Sequence, residues 1–160
     1  MELTQALCGK RLGGVARLKF YEAAKISAVT YNSTLRAYTS VEMVEGCEPL
    51  DVTFAEGSGS WSERGVADGG VEHSVEFSLG GVDAEALVTL VELSEGGLVA
   101  EVECADGGCY LVGYSREAAA EYPLRLASAE IATGSGRGDK PTTHIRLTST
   151  DGWYSRRVEQ

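Results

Sequence analysis

Strict alternation of apolar and polar side chains most constrains what this chain can fold into. His73, Val75, Phe77 and Leu79 fall on one face, and Glu72, Ser74, Glu76 and Ser78 on the other. A strand satisfies that period of two and a helix does not. Leu98, Ala100, Val102 and Cys104 repeat it against Val99, Glu101 and Glu103, and after Asp106-Gly107-Gly108 the run 110–114 returns as a hairpin partner. Further apolar runs at 15–22, 26–31, 38–44, 50–54, 123–131 and 143–148 are bounded by Gly, Asn, Ser or Pro. The pattern predicts a mainly β fold, an antiparallel β-sandwich or small barrel.

One segment departs from the period. Asp83 is placed to cap a run from Ala84 to Leu93 that ends at Gly96-Gly97, which predicts a single flanking helix over about 83–95. Ala84, Leu87, Val88 and Val91 share one stripe, so they are expected on the sheet, with Glu85 and Glu92 in solvent. The run 116–121 reads either as one helical turn or as a loop.

Between the runs 50–54 and 71–79 lies a polar, Gly- and Ser-rich stretch, 57–70, that carries Trp61, Glu63 and Arg64. Unstructured connections beyond about 12 residues are unusual in a compact domain and tend to be functional or disordered. Two readings stand side by side. The stretch is an assembly arm that orders on a partner through Trp61, or a flexible loop whose Trp61 folds back on its own sheet.

The 160 residues suit one domain spanning 1–160. No run of about 18 apolar residues is present to span a bilayer, and the start Met1-Glu2-Leu3-Thr4-Gln5 lacks the basic and apolar regions of a secretory signal. A cytoplasmic protein is expected. Cys8, Cys47, Cys104 and Cys109 are too few and too scattered for a disulfide framework. Cys104 and Cys109 flank a tight loop and are expected opposite each other as small packed thiols. No second close pair completes a zinc spacing, so no metal and no cofactor is expected.

Charge is divided sharply along the chain. Between Val41 and Tyr110 there are sixteen Asp and Glu against one base, Arg64, whereas the first forty residues hold six bases against two acids. Such a field bears on association, solubility and repulsion of polyanions rather than on fold. A nucleic-acid footprint is disfavoured, because counterion release needs clustered Lys and Arg. Lys10, Arg11, Arg17 and Lys19 instead suggest a basic edge that meets the acidic middle of another copy, head to tail.

No catalytic constellation stands out. Two histidines, no nucleophile elbow and no paired His-Glu helix spacing predict a non-enzymatic protein. His73, on the apolar face of its strand, is expected to be a partnered core histidine. Thr133-Gly134-Ser135-Gly136-Arg137-Gly138 is glycine-rich, but Pro141 and a strand follow it where a phosphate loop needs a lysine and a helix.

Several short segments carry a resemblance. Cys8-Gly9, Gly13-Gly14-Val15-Ala16-Arg17-Leu18, His73-Ser74-Val75-Glu76-Phe77, Leu111-Val112-Gly113-Tyr114 and Tyr122-Pro123-Leu124-Arg125-Leu126 resemble small structural proteins of Bacteroidetes-type prophages. The order of strands, long loop, strand, helix and hairpin is similar to tail-tube proteins of tailed phages and to the tube proteins of type VI secretion. The resemblance implies a self-assembling virion component, whether tube, terminator or connector, with the long loop contacting neighbours and acids lining a lumen. It implies other virion proteins as partners, and DNA only as a cargo that slides past. The alternative is a carbohydrate-binding β-sandwich using Trp61, Trp153, Tyr154 and Tyr122 as stacking platforms.

Overall fold

The structure, a computed structural model, describes residues 14–80, 84–133, 136–138 and 141–159. Its eleven strands are β1 (Val15–Glu22), β2 (Ile26–Asn32), β3 (Ala37–Met43), β4 (Leu50–Val52), β5 (Ser60–Gly65), β6 (Val71–Gly80), β7 (Leu98–Cys104), β8 (Cys109–Val112), β9 (Arg125–Ala132), β10 (Thr142–Asp151) and β11 (Arg156–Val158). A helix, α1 (Ala84–Glu95), lies between β6 and β7. Two sheets result, one of seven strands in the order β2-β3-β11-β8-β7-β1-β4 and one of four in the order β5-β6-β10-β9. The fold is therefore mainly β with a single helix, as two sheets and not a closed barrel.

The sheets share a core that follows from the alternation. Leu18 and Phe20 of β1, Ala100 and Val102 of β7 and Val112 of β8 meet Val75 and Phe77 of β6 and Ile145 and Leu147 of β10. Phe77 contacts the rings of both Phe20 and Phe54, at centroid distances of 5.8 and 6.4 Å. Deleting a buried side chain of this kind typically costs about 2–5 kcal/mol.

A second cluster fills the other face of the seven-stranded sheet. β1 and β2 stand sixth and first in that sheet, yet only the 3-10 turn Ala23–Lys25 joins them. The sheet must therefore curl until its far strands approach. Its concave face is packed by Tyr21, Tyr38, Val99, Leu111 and Val158, with Val29, Tyr31, Val41 and Met43 around them.

The chain crosses between sheets four times. At the first crossing Gly59 runs so close to β1 that a Cβ there would sit 2.7 Å from the Phe54 ring and 3.1 Å from Val15. At the last, residues 152–155 carry the chain from β10 to β11, which pairs parallel with β3 and antiparallel with β8.

Several expectations need correction. The stretch 57–70 is not one long loop, because Ser60–Gly65 forms β5 and pairs with β6 over six residues. Its polar side chains hid a strand whose outer face meets water. On α1 the inward residues are Leu87, Leu90 and Leu93, with Ser94 also buried, whereas Val88 is 54% exposed. Counting the stripe from Ala84 had set its phase wrong. Glu85 and Glu92 are exposed as expected, and Asp83 lies outside the described residues. The run 116–121 is a turn closed by a bridge between Ser115 and Ala119, and β11 falls where no strand was expected.

Candidate functional site

The features singled out in the sequence are placed by strand pairing. Trp61 and Glu63 pair with Val75 and His73 and so share the inward face of the four-stranded sheet, while Arg64 points outward opposite Glu72. Trp61 lies against Tyr110 of the other sheet, with centroids 4.7 Å apart. The supposed arm is thus a stitch between sheets, and its three residues do not form one contact patch.

Arg17 and Lys19 stand on an inner strand of their sheet. β1 lies between β7 and β4, and across it Lys19 faces Glu101 at 3.7 Å and Arg17 faces Glu103 at 3.8 Å. These bases compensate acids of their own chain. Lys10 and Arg11 lie outside the described residues. Around the same charges opens a cleft of about 360 Å³ whose mixed lining also includes Asp51 and Glu159.

A ladder of charge runs across the outer face of the four-stranded sheet. Arg64 reaches Glu72 at 3.1 Å, and Arg146 lies 3.9 Å from Glu72 and 3.5 Å from Glu76. His144 extends the row to Ser78 at 3.0 Å. Glu72, Glu76, Glu101 and Glu103 are therefore matched by bases. The remaining acids of the middle stretch sit mostly on the turns and the helix, at Glu45, Glu48, Glu56, Asp68, Glu85, Glu92, Glu95 and Asp106, with Glu42 and Asp51 exposed on β3 and β4.

The most unusual chemistry is buried. His73 is 1% exposed, with Nδ1 at 2.7 Å from Glu63 Oε1 and Nε2 at 2.9 Å from Asp151 Oδ1. Backbone donors complete the shell: Ser155 N donates to both Glu63 oxygens and Trp153 N to Asp151 Oδ1. Burial pushes the imidazole pKa down, but the hydrogen bonds and charges of Glu63 and Asp151 outweigh it and hold the pKa above its ordinary value. Burial likewise pushes Glu63 up, and the bonds from His73 and Ser155 reverse the effect to hold it low. The expectation of a partnered core histidine holds.

Ser155 Oγ lies 3.5 Å from His73 Nδ1, which superficially suggests nucleophile, base and acid. The geometry does not support that chemistry. A general base needs a lone pair toward the hydroxyl, and this ring has a carboxylate on each nitrogen. For the same reason it presents no lone pair to a metal. The cluster is a clamp that ties β5, β6 and β10 to the crossing at 152–155.

The proposed stacking platforms do not share one surface. Trp61 packs inward on the β5 side, and the Tyr154 hydroxyl lies at Gly65. Tyr122, 45% exposed, leads toward β9 at the opposite edge of the sheet. Cys104 and Cys109 are not opposite each other, since Cys109 pairs with Glu103 and the two thiols pack in different clusters.

Among the described residues, what stays open is strand edges. The four-stranded sheet ends in β5 on one side and β9 on the other, and seven of the eight β9 residues are exposed. An unpaired edge presents a row of backbone donors and acceptors to any strand that can reach it. Comparison with protein families, with curated proteins and with solved structures finds no match to this chain.

Proposed function

We propose that this chain is a non-enzymatic structural subunit that self-assembles, of the kind that builds phage-like particles as tube, terminator or connector. The observation that carries this reading is the four-stranded sheet, which among the described residues has an unpaired strand at each side. Native proteins usually cover, shorten or charge such edges, and β-strand addition is a common way to use one. Matched charges on the outer face of the four-stranded sheet support the same reading, since a nearly neutral face can lie against another protein without burying unpaired ions. The acids on turns and helix keep the remaining surface hydrated and repel nucleic acid. Among the described residues no helix is long and apolar enough to cross a membrane.

The test is mass and shape. Light scattering and negative-stain microscopy of the concentrated chain are expected to show discrete multimers, rings or tubes. A strict monomer, or a dimer that never builds further, under all salt and concentration conditions overturns the reading.

A further inference from the structure

Of the four strand edges, β9 is the longest, at eight residues against seven for β2, six for β5 and three for β4. Its register with β10 is unusual. Arg125 pairs with Thr148 and Leu126 with Leu147, the ladder then shifts, and Ser128, Ala129 and Glu130 pair with Arg146, Ile145 and His144. Ala127 is the extra residue of a bulge.

The bulge resets which side chains share a face. Leu147 and Ile145 are fully buried, so Leu126 and Ala129 lie on the inward face. Thr148, Arg146 and His144 belong to the outward face, and Arg125, Ser128 and Glu130 go with them. Read from 125 to 130, the order is outward, inward, the bulge pair Ala127-Ser128, inward, outward. It is the same read backwards. Arg125 stands at one end of this palindrome and Glu130 at the other.

We propose that β9 is where two copies of this chain join, antiparallel about a two-fold axis at the Ala127–Ser128 peptide, so that two four-stranded sheets become one. In that register Arg125 of each copy meets Glu130 of the other, and Leu126 meets Ala129. A symmetric contact demands such self-complementarity, and the charge pattern supplies it twice per dimer. A bulge normally guards an edge by bending it. Here the axis passes through both bulges, so the two strands bend together and stay in register. Arg125 is also held in place, since its Nη1 donates to the Glu95 carbonyl at the end of α1 at 2.7 Å. The pairing rests on the self-assembly reading only in taking a second copy as the partner.

Sedimentation velocity on the full chain and on charge-reversed variants tests the pairing. The parent chain is expected to show a species of twice the 16.9 kDa chain mass. Glu130→Arg and Arg125→Glu, each of which sets like charges opposite one another, are expected to weaken that species at least about tenfold. The double variant, which restores opposite charges in exchanged positions, is expected to recover it. Glu130→Arg leaves the Arg125–Glu95 bond untouched, so its loss of dimer cannot be assigned to a disturbed helix end. A dimer insensitive to both reversals, or a double variant no better than the singles, overturns the pairing. Larger assemblies that persist in Glu130→Arg overturn it while leaving the structural role standing. A β9 dimer that never builds further does the reverse.

Discussion

His73 Nε2 lies 2.9 Å from Asp151 Oδ1, a bond between residues 78 positions apart that fastens the middle of the chain to its end. With Glu63 on the other nitrogen at 2.7 Å, the ring donates both ways and is held as imidazolium. Its folded pKa is raised, so its contribution to stability is complete below the unfolded value of about 6.5 and is lost as pH rises through the folded value. Glu63 works in the opposite sense. Its folded pKa is depressed, so its contribution is complete above an unfolded value of about 4.3 and is lost as pH falls through the folded one. Thermal melts across pH are therefore expected to show a plateau between those unfolded values and a decline on the alkaline side. A melting temperature that climbs steadily from pH 6 to pH 9 contradicts the clamp.

Replacing the ring tests the same site by another route. His73→Gln leaves two buried carboxylates without a countercharge, a defect that typically costs about 3–5 kcal/mol. For a chain of this size that corresponds to a fall in melting temperature of roughly 10 °C or more. The variant is also expected to lose the alkaline decline of the parent. Replacing the half-buried His144, on the outer ladder, is expected to change stability by less than about 1 kcal/mol.

Local pattern made part of this fold legible and left part of it hidden. The alternation at β6, the β7–β8 hairpin and the existence of α1 were readable because each depends on neighbours within a few positions. β5 was not readable. Its outward residues Ser60, Ser62 and Arg64 meet water, its inward Glu63 is as polar as they are, and the partner that makes Glu63 an inward residue is His73, ten positions on. Only Trp61 signalled burial there. The bases of β1 were read correctly as a cluster and placed wrongly, because adjacency to Glu101 and Glu103 depends on a pairing across more than eighty residues. His73 was legible as a core residue but its two carboxylates were not, since sequence spacing says nothing about which acids a folded sheet brings together.

Trp61 stitches the two sheets by packing on Tyr110. Its Nε1 is buried without a hydrogen-bond partner among the described residues, so the ring contributes through area and stacking. Trp61→Ala is expected to cost roughly 3 kcal/mol, toward the low end for large aromatic deletions because the ring is only half-buried. Trp61→Phe keeps most of the contact and removes the unsatisfied donor, and it is expected to cost less than about 1.5 kcal/mol. Chemical denaturation of both variants decides, and equal losses in the two would show that the stitch is not made by packing.

The hairpin cysteines are expected to stay reduced. They pack on opposite faces of the seven-stranded sheet, and burial, reinforced by nearby acids, pushes both thiol pKa values up. Thiolate is the reactive form, so alkylation near neutral pH should be slow in the folded chain and fast after unfolding. Mass spectrometry of oxidised protein that finds a Cys104–Cys109 bridge would contradict the register of β7 with β8.

Two glycines with similarly positive φ are expected to respond differently to a methyl group. Gly97 follows α1 at φ +86°, and a Cβ there would lie 2.3 Å from Pro123 Cγ and 2.7 Å from its Cβ. Gly107, in the β7–β8 turn, has φ +96° with nothing within 4 Å of the same position. Gly107→Ala therefore carries only the left-handed backbone penalty of about 1–2 kcal/mol. Gly97→Ala carries that penalty and in addition must push Pro123 off the end of the helix, next to the backbone pair that joins Leu98 to Leu124. Denaturant midpoints should place Gly97→Ala clearly below Gly107→Ala. If the two fall together, the close approach of Pro123 to Gly97, and with it the seating of the chain as it leaves the seven-stranded sheet for β9, is wrong.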